Sequence, residues 1–191
     1  VEGFEQILAL DPQSAVTHGE LGRILKERGQ VKRAMASYKT AIRIDPAQSK
    51  SWNNLGSAHQ LQGELEKASK CFRAAIRIEP SHVDAHYNAG VVHELQGNAE
   101  DAITSYRAAL SIEPEDANAH NNLGNMLKQR GNLKEALSSY RAAARIDPAH
   151  APAHNNIAII EAQRGNLKLA VKSYRRAVVL LPDNADVHHN L

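Results

Sequence analysis

Histidine recurs at a fixed spacing along this chain, and imidazole nitrogen is a common ligand for zinc. Trp52 fills the one gap in the series His18, His86, His120, His154 and His188, whose places are 34 residues apart. In a fold of stacked helices, such places are separated by layers of about 10 Å, too far for nitrogens that must each lie about 2 Å from one ion. The pairs with i,i+4 spacing are His82 with His86 and His150 with His154. The first histidine of each pair is predicted in a loop just past a proline, so we expect packing histidines, no metal and no cofactor.

Asparagine forms a second column with the same spacing. Glu20 holds the first place, and the others are Asn54, Asn88, Asn122, Asn156 and Asn190. A carboxamide offers two donors and an acceptor, so it can pair with both the N–H and the C=O of an extended peptide. A row of carboxamides would hold a peptide backbone without reading its sequence, as strand addition to a sheet edge does. The alternative is that these side chains only satisfy local backbone; we favour the peptide-binding interpretation.

No residue pattern in the chain indicates catalysis. Cys71 has no histidine within its own 34-residue unit placed to activate it. No strand is predicted, so no glycine-rich phosphate loop can follow one. As the single cysteine, Cys71 cannot form an internal disulfide, which favours a reducing compartment. We therefore predict a protein that is not an enzyme and that resides in the cytoplasm, with the nucleus as the alternative.

The elements that position these columns follow from a 34-residue repeat. Prolines at position 32 of each unit mark it: Pro12, Pro46, Pro80, Pro114, Pro148 and Pro182. Position 24 holds six of the eight aromatic residues, and position 15 is glycine, where a left-handed residue can end a helix. Glycine or alanine at position 8 and alanine at positions 20 and 27 allow two helices to approach closely. Each unit therefore predicts two helices of about 14 residues.

These columns resemble the signature of the tetratricopeptide-repeat (TPR) family, W-x2-L-G-x2-Y…A-x3-F…P. One unit matches it through Trp52, Leu55, Gly56, Ala68, Phe72 and Pro80. The resemblance covers the whole chain and implies an all-α, right-handed superhelical solenoid of antiparallel helix pairs. It predicts a single array over 1–191, with the second helix of a partial repeat at 1–14, full repeats at 15–48, 49–82, 83–116, 117–150 and 151–184, and the start of a further repeat at 185–191.

In TPR proteins the first helix of each repeat lines the concave face of the superhelix, and position 6 points into it. The resemblance therefore places the asparagine column in a binding groove for a protein or an extended peptide. Neighbouring positions are predicted to line the same groove: Asn53, Tyr87, Asn121, Asn125 and Asn155. Tyr87 is either an anchor for the ligand or a packing residue against the next repeat. Glu161, at the usually apolar position 11, is either a packing defect or a groove contact.

A basic stripe is predicted on the second helices, where positions 22, 25 and 29 carry no acid. Its members are Lys39, Arg43, Lys70, Arg73, Arg77, Arg107, Arg141, Arg145, Lys172 and Arg175. Such a stripe could bind RNA, but no aromatic residues interleave with it to stack on bases. The 23 basic and 21 acidic residues nearly balance, and no apolar run approaches the roughly 20 residues of a membrane-spanning helix. We predict neither a nucleic-acid nor a membrane partner.

The asparagine column, called here the asparagine ladder, resembles the one along the concave face of the TPR superhelix in O-GlcNAc transferases and SPINDLY-type proteins. The segments Asn-Asn-Leu-Gly-Asn (121–125) and Ser-Tyr-Arg-Ala-Ala-Leu (105–110) also resemble that group. This resemblance implies an alternative function as the substrate-recognition arm of a glycosyltransferase whose catalytic domain is absent from the chain. Both ends are predicted to be unfinished repeats, which indicates a fragment of a longer array. The open end at the start of the chain is predicted to expose the apolar residues Phe4, Ile7, Leu8 and Leu10, which favours a homo-oligomer, preferably a closed dimer. A self-assembling scaffold is therefore the remaining alternative function.

Overall fold

The computed structural model describes residues 1–181, apart from the side chains of Glu2 and Glu5, and all regular secondary structure in this range is α-helical. The helices are α1 (Glu2–Leu10), α2 (Ala15–Glu27), α3 (Val31–Ile44), α4 (Ser49–Leu61), α5 (Leu65–Ile78), α6 (Val83–Leu95), α7 (Ala99–Ile112), α8 (Ala117–Gln129), α9 (Leu133–Ile146), α10 (Ala151–Gln163) and α11 (Leu167–Leu180). The predicted all-α fold is confirmed. Asn190, His188 and the predicted repeat start at 185–191 lie outside the described residues.

The turn inside each helix pair is made by the glycine at position 15. Gly29 has a φ of 75°, and Gly63, Gly97, Gly131 and Gly165 lie between 73° and 80°. A residue with a Cβ is strained at this angle, so glycine ends the first helix without that cost. The second helix then begins two residues later, at Val31 in the first pair.

The ring at position 4 ties each first helix to the end of the preceding second helix. The Nε1–H of Trp52 donates to the carbonyl of Pro46 at 3.0 Å. Histidine Nε2 atoms make the equivalent bonds at 2.9–3.1 Å, from His18 to Pro12, His86 to Pro80, His120 to Pro114 and His154 to Pro148. These proline carbonyls lie in the turn just past the second helix, outside its hydrogen-bond ladder, and the ring N–H supplies a donor for them. The histidine column therefore has a structural role that tryptophan can also fill.

Close packing between the two helices of a pair centres on positions 8 and 24. A Cβ added to Gly56 would lie 2.6 Å from Cε1 of Phe72, which is closer than real Cβ contacts allow. The same hypothetical contact is 2.6 Å between Gly22 and Tyr38 and 2.5 Å between Gly124 and Tyr140. These three rings are fully buried, and so is Tyr106. The predicted burial of the aromatic column is confirmed.

The chain divides into two compact units, Val1–Gly97 and a second that begins at Asn98. In the first unit, α2 packs on α3 and α4 on α5, and α3 and α5 each also contact the following first helix. The second unit repeats this arrangement, with α8 on α9 and α10 on α11. At the start of the chain, Phe4 and Leu8 pack against the core around Leu21 and Tyr38, which leaves Ile7 and Leu10 as the exposed apolar residues of α1.

Candidate functional site

The predicted site residues that the structure describes all lie on first helices. In the first unit, Asn53 and Asn54 lie on α4, and Tyr87 and Asn88 lie on α6. In the second unit, the site residues are Asn121, Asn122 and Asn125 on α8 and Asn155 and Asn156 on α10. The two sets differ in how their carboxamides are bonded.

In the first unit, one asparagine of the column is bonded and another is not. Nδ2 of Asn88 donates to Oδ1 of Asn53 at 3.0 Å, across the gap between α6 and α4. Asn53 is only 7% exposed, and this bond satisfies its carbonyl oxygen as burial requires. The half-buried Asn54 makes no hydrogen bond with any residue that the structure describes. Its donors and acceptor remain available.

A depression of about 590 Å³ lies on the first helices of this unit, beside Asn54. Its lining includes both asparagines of α4 and side chains of both charge signs: Glu20, Arg23, Lys50, Asn53, Asn54 and Asp84. His82 also borders it and is buried, and its Nε2 has no hydrogen-bond partner among the described residues. Such a surface offers an approaching molecule amide groups together with charges of both signs.

Glu20, which interrupts the asparagine column, belongs to a surface ion-pair cluster. Arg23 donates from Nε to Oε2 of Glu20 at 2.9 Å and from Nη1 to Oε1 of Glu27 at 2.6 Å. These carboxylates raise the pKa of the Arg23 guanidinium. All three side chains are exposed, where such pairs contribute little to stability. At position 6, the first full repeat therefore has a charge where its successors have amides.

In the second unit, Asn156 is held by the preceding first helix. Its Nδ2 donates to Oδ1 of Asn121 and to Oδ1 of Asn125, each at 3.2 Å. Oδ1 of Asn125 also accepts from the hydroxyl of Tyr140 at 2.9 Å, and Lys128 Nζ lies 3.5 Å from Oδ1 of Asn156. Both amide hydrogens of Asn156 are therefore engaged within the protein.

These bonds reveal a relationship that the sequence interpretation missed. An asparagine at position 6 bonds the asparagine at position 5 of the preceding repeat, as Asn88 does with Asn53 and Asn156 with Asn121. The partners of Asn88 and Asn156 are thus side chains of a neighbouring repeat rather than local backbone. The signal was present in the sequence as pairs of asparagines 35 residues apart. Peptide binding by the ladder stays a prediction.

The remaining predicted site residues are neither fully buried nor fully exposed. Tyr87, Asn122 and Asn155 are all half-buried. Asn122 accepts a long, 3.5 Å hydrogen bond from Nδ2 of Asn121. The buried Oδ1 of Asn155 has no hydrogen-bond partner among the described residues. Only parts of these side chains are open to solvent, so a ligand could reach them from one side.

Burial controls the titration of the reactive groups. It raises the pKa of the Cys71 thiol to about 11, which keeps the sulfur protonated, and therefore a poor nucleophile, near neutral pH. Burial also raises the pKa of Tyr38 to about 12 and shifts that of Tyr140 upward. Within residues 1–181, no group of three or more histidine, cysteine or acidic side chains could hold a metal ion. Within the same residues, no helix has both the length and the apolar character needed to cross a membrane.

Comparison with known proteins identifies the fold. The family model for the cilia and flagella-associated protein 70 C-terminal domain, a TPR family, matches residues 3–190. YrrB, a TPR protein with an unusual peptide-binding site, is 24% identical with a TM-score of 0.81 over 97% of this chain and 96% of its own. PilF of Pseudomonas aeruginosa is 18% identical with a TM-score of 0.88, over 97% of this chain and 85% of its own. MamA of Desulfovibrio magneticus RS-1 is 19% identical with a TM-score of 0.79, over 90% of this chain and 97% of its own.

No curated protein matches the sequence. At the identities of these solved structures, the likeness concerns the fold. The predicted TPR solenoid is therefore confirmed, and the function has to be argued from the protein's own residues.

Proposed function

Because the chain belongs to the family of the cilia and flagella-associated protein 70 C-terminal domain, we propose that it is a protein-interaction scaffold that holds an extended segment of a protein partner against its first helices. The observation that carries the proposal is the depression of the first unit, with the unbonded Asn54 at its side. An unbonded carboxamide can donate to a backbone carbonyl oxygen and accept from a backbone amide. The peptide-binding site of the similar protein YrrB supports the same use of the fold.

The bonding pattern assigns different tasks to the members of the asparagine column. Asn54 has both amide hydrogens and its oxygen free for a ligand, while Asn88 uses one donor to hold Asn53 in place. Asn156 has committed both of its donors within the second unit. A peptide that bonded Asn156 would have to displace existing bonds, at a cost in affinity. We therefore assign recognition of the peptide backbone to Asn54 and a supporting role to the Asn88–Asn53 pair.

Partner selectivity would come from the charged rim of the depression. Lys50 can attract acidic side chains and Asp84 basic ones, whereas Arg23 and Glu20 are already paired with each other. An extended segment with polar residues of mixed charge fits this lining better than a uniformly apolar one.

The proposal can be tested with a randomised peptide library displayed on phage, followed by fluorescence anisotropy with a selected, labelled peptide. Asn54→Ala should weaken binding about ten-fold, because it removes a donor and an acceptor to the peptide backbone, while the unfolding midpoint stays unchanged. Asn88→Ala is the matched variant at the same repeat position. It should lower the free energy of unfolding by about 1–3 kcal/mol, since the buried Asn53 oxygen loses its donor.

Two results would count against the proposal. The first is that no library peptide binds this protein more tightly than it binds an unrelated helical protein. The other is a selected peptide whose affinity is the same for Asn54→Ala and the wild-type protein. Either result would remove the depression of the first unit as the binding site.

The asparagine column also supports a second candidate, the substrate-recognition arm of an O-GlcNAc-transferase-like glycosyltransferase. In that case the chain would be one part of a longer protein, and the same first-helix face would hold the acceptor polypeptide. The coding sequence that flanks these repeats in the parent gene tests this candidate, because a glycosyltransferase domain beside the repeats is required. The buried Cys71 suits a reducing compartment, so we place either form in the cytoplasm or the nucleus.

A further inference from the structure

A second open depression, also of about 590 Å³, lies in the second unit and is lined mainly by α11 and α10, with Arg141 of α9 at its edge. It is called here the α9–α11 groove, and its lining includes Arg141, Glu161, Leu169, Lys172, Arg175 and Arg176. The proposed peptide site uses none of these residues.

One ion pair of the preceding repeat has no equivalent across the groove. Between α7 and α9, Nη2 of Arg107 donates to Oε2 of Glu135 at 2.7 Å and so bridges the two second helices. The residues 34 positions later are Arg141 and Leu169. Because Leu169 has no acceptor, Arg141 has no such partner on α11, and no equivalent bridge crosses the groove.

Arg141 turns instead toward the first helix beneath. Its Nη2 donates to Oε1 of Glu161 at 2.6 Å, and Nδ2 of Asn166 donates to Oε2 of Glu161 at 2.7 Å. Glu161 is 1% exposed, so a buried carboxylate is fully paired as stability requires. This residue is neither a packing defect nor a contact on the first-helix face, the two interpretations that its sequence position suggested.

The remaining lining carries a surplus of positive charge. Lys172 and Arg175 are exposed and have no ion pair or hydrogen bond with any described residue. Among the described residues, Arg176 donates only to the carbonyl of Pro148, at 3.3 Å. The one carboxylate in the lining belongs to Glu161, and its charge is already neutralised by Arg141. A cleft lined by one sign of charge raises the local concentration of opposite charge, and guanidinium groups bind carboxylates through paired hydrogen bonds.

Apolar residues complete the groove. Leu169 is 50% exposed and Val179 is 70% exposed, and Ile157 lies in the lining beneath them. Among the described residues, no phenylalanine, tyrosine or tryptophan lines the groove, so it lacks the broad aromatic platforms on which single-stranded nucleic acid usually stacks. We propose that the α9–α11 groove binds an acidic segment of a protein partner, in which aliphatic residues alternate with glutamate or aspartate.

The test uses the 191-residue chain and a short fluorescein-labelled peptide in which glutamates alternate with leucines. Lys172→Ala combined with Arg175→Ala should weaken its binding roughly ten-fold, as expected for the loss of two charge contacts. The matched control is Lys70→Ala combined with Arg73→Ala, which removes the same charges at the same repeat positions of α5 and should leave affinity unchanged. Leu169→Glu should also weaken binding, because it restores the acid that faces Arg141 and adds negative charge to the groove.

Three outcomes would overturn the proposal. Equal losses in the groove variant and the α5 control would show general attraction to basic helices. Undiminished binding of a peptide with glutamine in place of glutamate would show that charge is irrelevant. Tighter binding of a labelled single-stranded oligonucleotide than of the acidic peptide would assign the surface to nucleic acid. Circular dichroism of each variant confirms that a loss of binding does not reflect a loss of helix.

Discussion

The repeat at 15–48 and the repeat at 117–150 share their core packing and differ in their polar contacts. In both repeats, the tyrosine ring at position 24 packs against the glycine at position 8. A Cβ added to that glycine would lie 2.6 Å from Tyr38 in the earlier repeat and 2.5 Å from Tyr140 in the later one. The hydroxyl of Tyr140 donates to Asn125. The hydroxyl of Tyr38 is buried and has no hydrogen-bond partner among the described residues.

The cause of the difference is the residue at position 9. In the later repeat it is Asn125, whose short carboxamide reaches the tyrosine hydroxyl and the next first helix. In the earlier repeat it is Arg23, whose long side chain extends to surface carboxylates instead. The comparison shows that the apolar columns fix the packing of a repeat, while its polar contacts depend on single residues and can change from one repeat to the next.

The largest expected effect concerns the shared packing. Tyr38→Ala and Tyr140→Ala should each lower the free energy of unfolding by about 3–5 kcal/mol, the usual cost of truncating a buried large aromatic. Chemical denaturation measures both values. Losses of similar size would confirm that the two cores are equivalent, whereas a loss under about 1 kcal/mol at either site would contradict the burial described here.

A smaller effect appears at alkaline pH. Burial raises the pKa of Tyr38 from its usual value near 10 to about 12, so the folded protein resists ionisation of the phenol. Its contribution to stability is fully present below about pH 10 and is lost as the pH rises toward 12. Tyr38→Phe cannot ionise, so its stability relative to wild type should increase between pH 9 and pH 11 by about 1 kcal/mol. A difference that does not change with pH would show that the phenol is not desolvated.

The smallest effect isolates the two hydroxyls near neutral pH. Tyr140→Phe removes the hydrogen bond to Asn125 and should cost about 1 kcal/mol. Tyr38→Phe removes a buried hydroxyl that has no partner among the described residues, and should be neutral or stabilising by up to about 1 kcal/mol. Parallel denaturation curves measure the difference between the variants. Equal costs at the two positions would mean that Tyr38 has a partner and would remove the contrast between the repeats.

The sequence predicted the packing because its signals repeat. Glycine at position 15, proline at position 32 and the facing residues Gly56 and Phe72 each have a steric reason that holds in any repeat. The role of position 4 was less apparent. Histidine and tryptophan differ in most properties but share a ring N–H donor. The importance of that donor becomes clear only from the structure, in which a proline carbonyl accepts the hydrogen bond of Trp52.

The polar contacts of the site could be predicted only in part. The sequence placed the asparagine columns on first helices, but the bonding of Asn156 depends on the offset between successive helices, which no single repeat contains. Arg141 illustrates the same limit. Its pairing with Glu161 accompanies the replacement of an acid by Leu169 on the next second helix, a substitution that a search for recurring residues does not detect.

The central claim is that an extended peptide binds to the first-helix face of the first unit through Asn54. The side-chain amide resonances of the asparagines, followed by ¹H–¹⁵N NMR during titration with a selected peptide, test it most directly. The account predicts that the Asn54 amide signals shift with peptide concentration, while those of Asn156 stay in place because both donors are already bonded. A titration that shifts the Asn156 signals and leaves those of Asn54 unchanged would contradict the account.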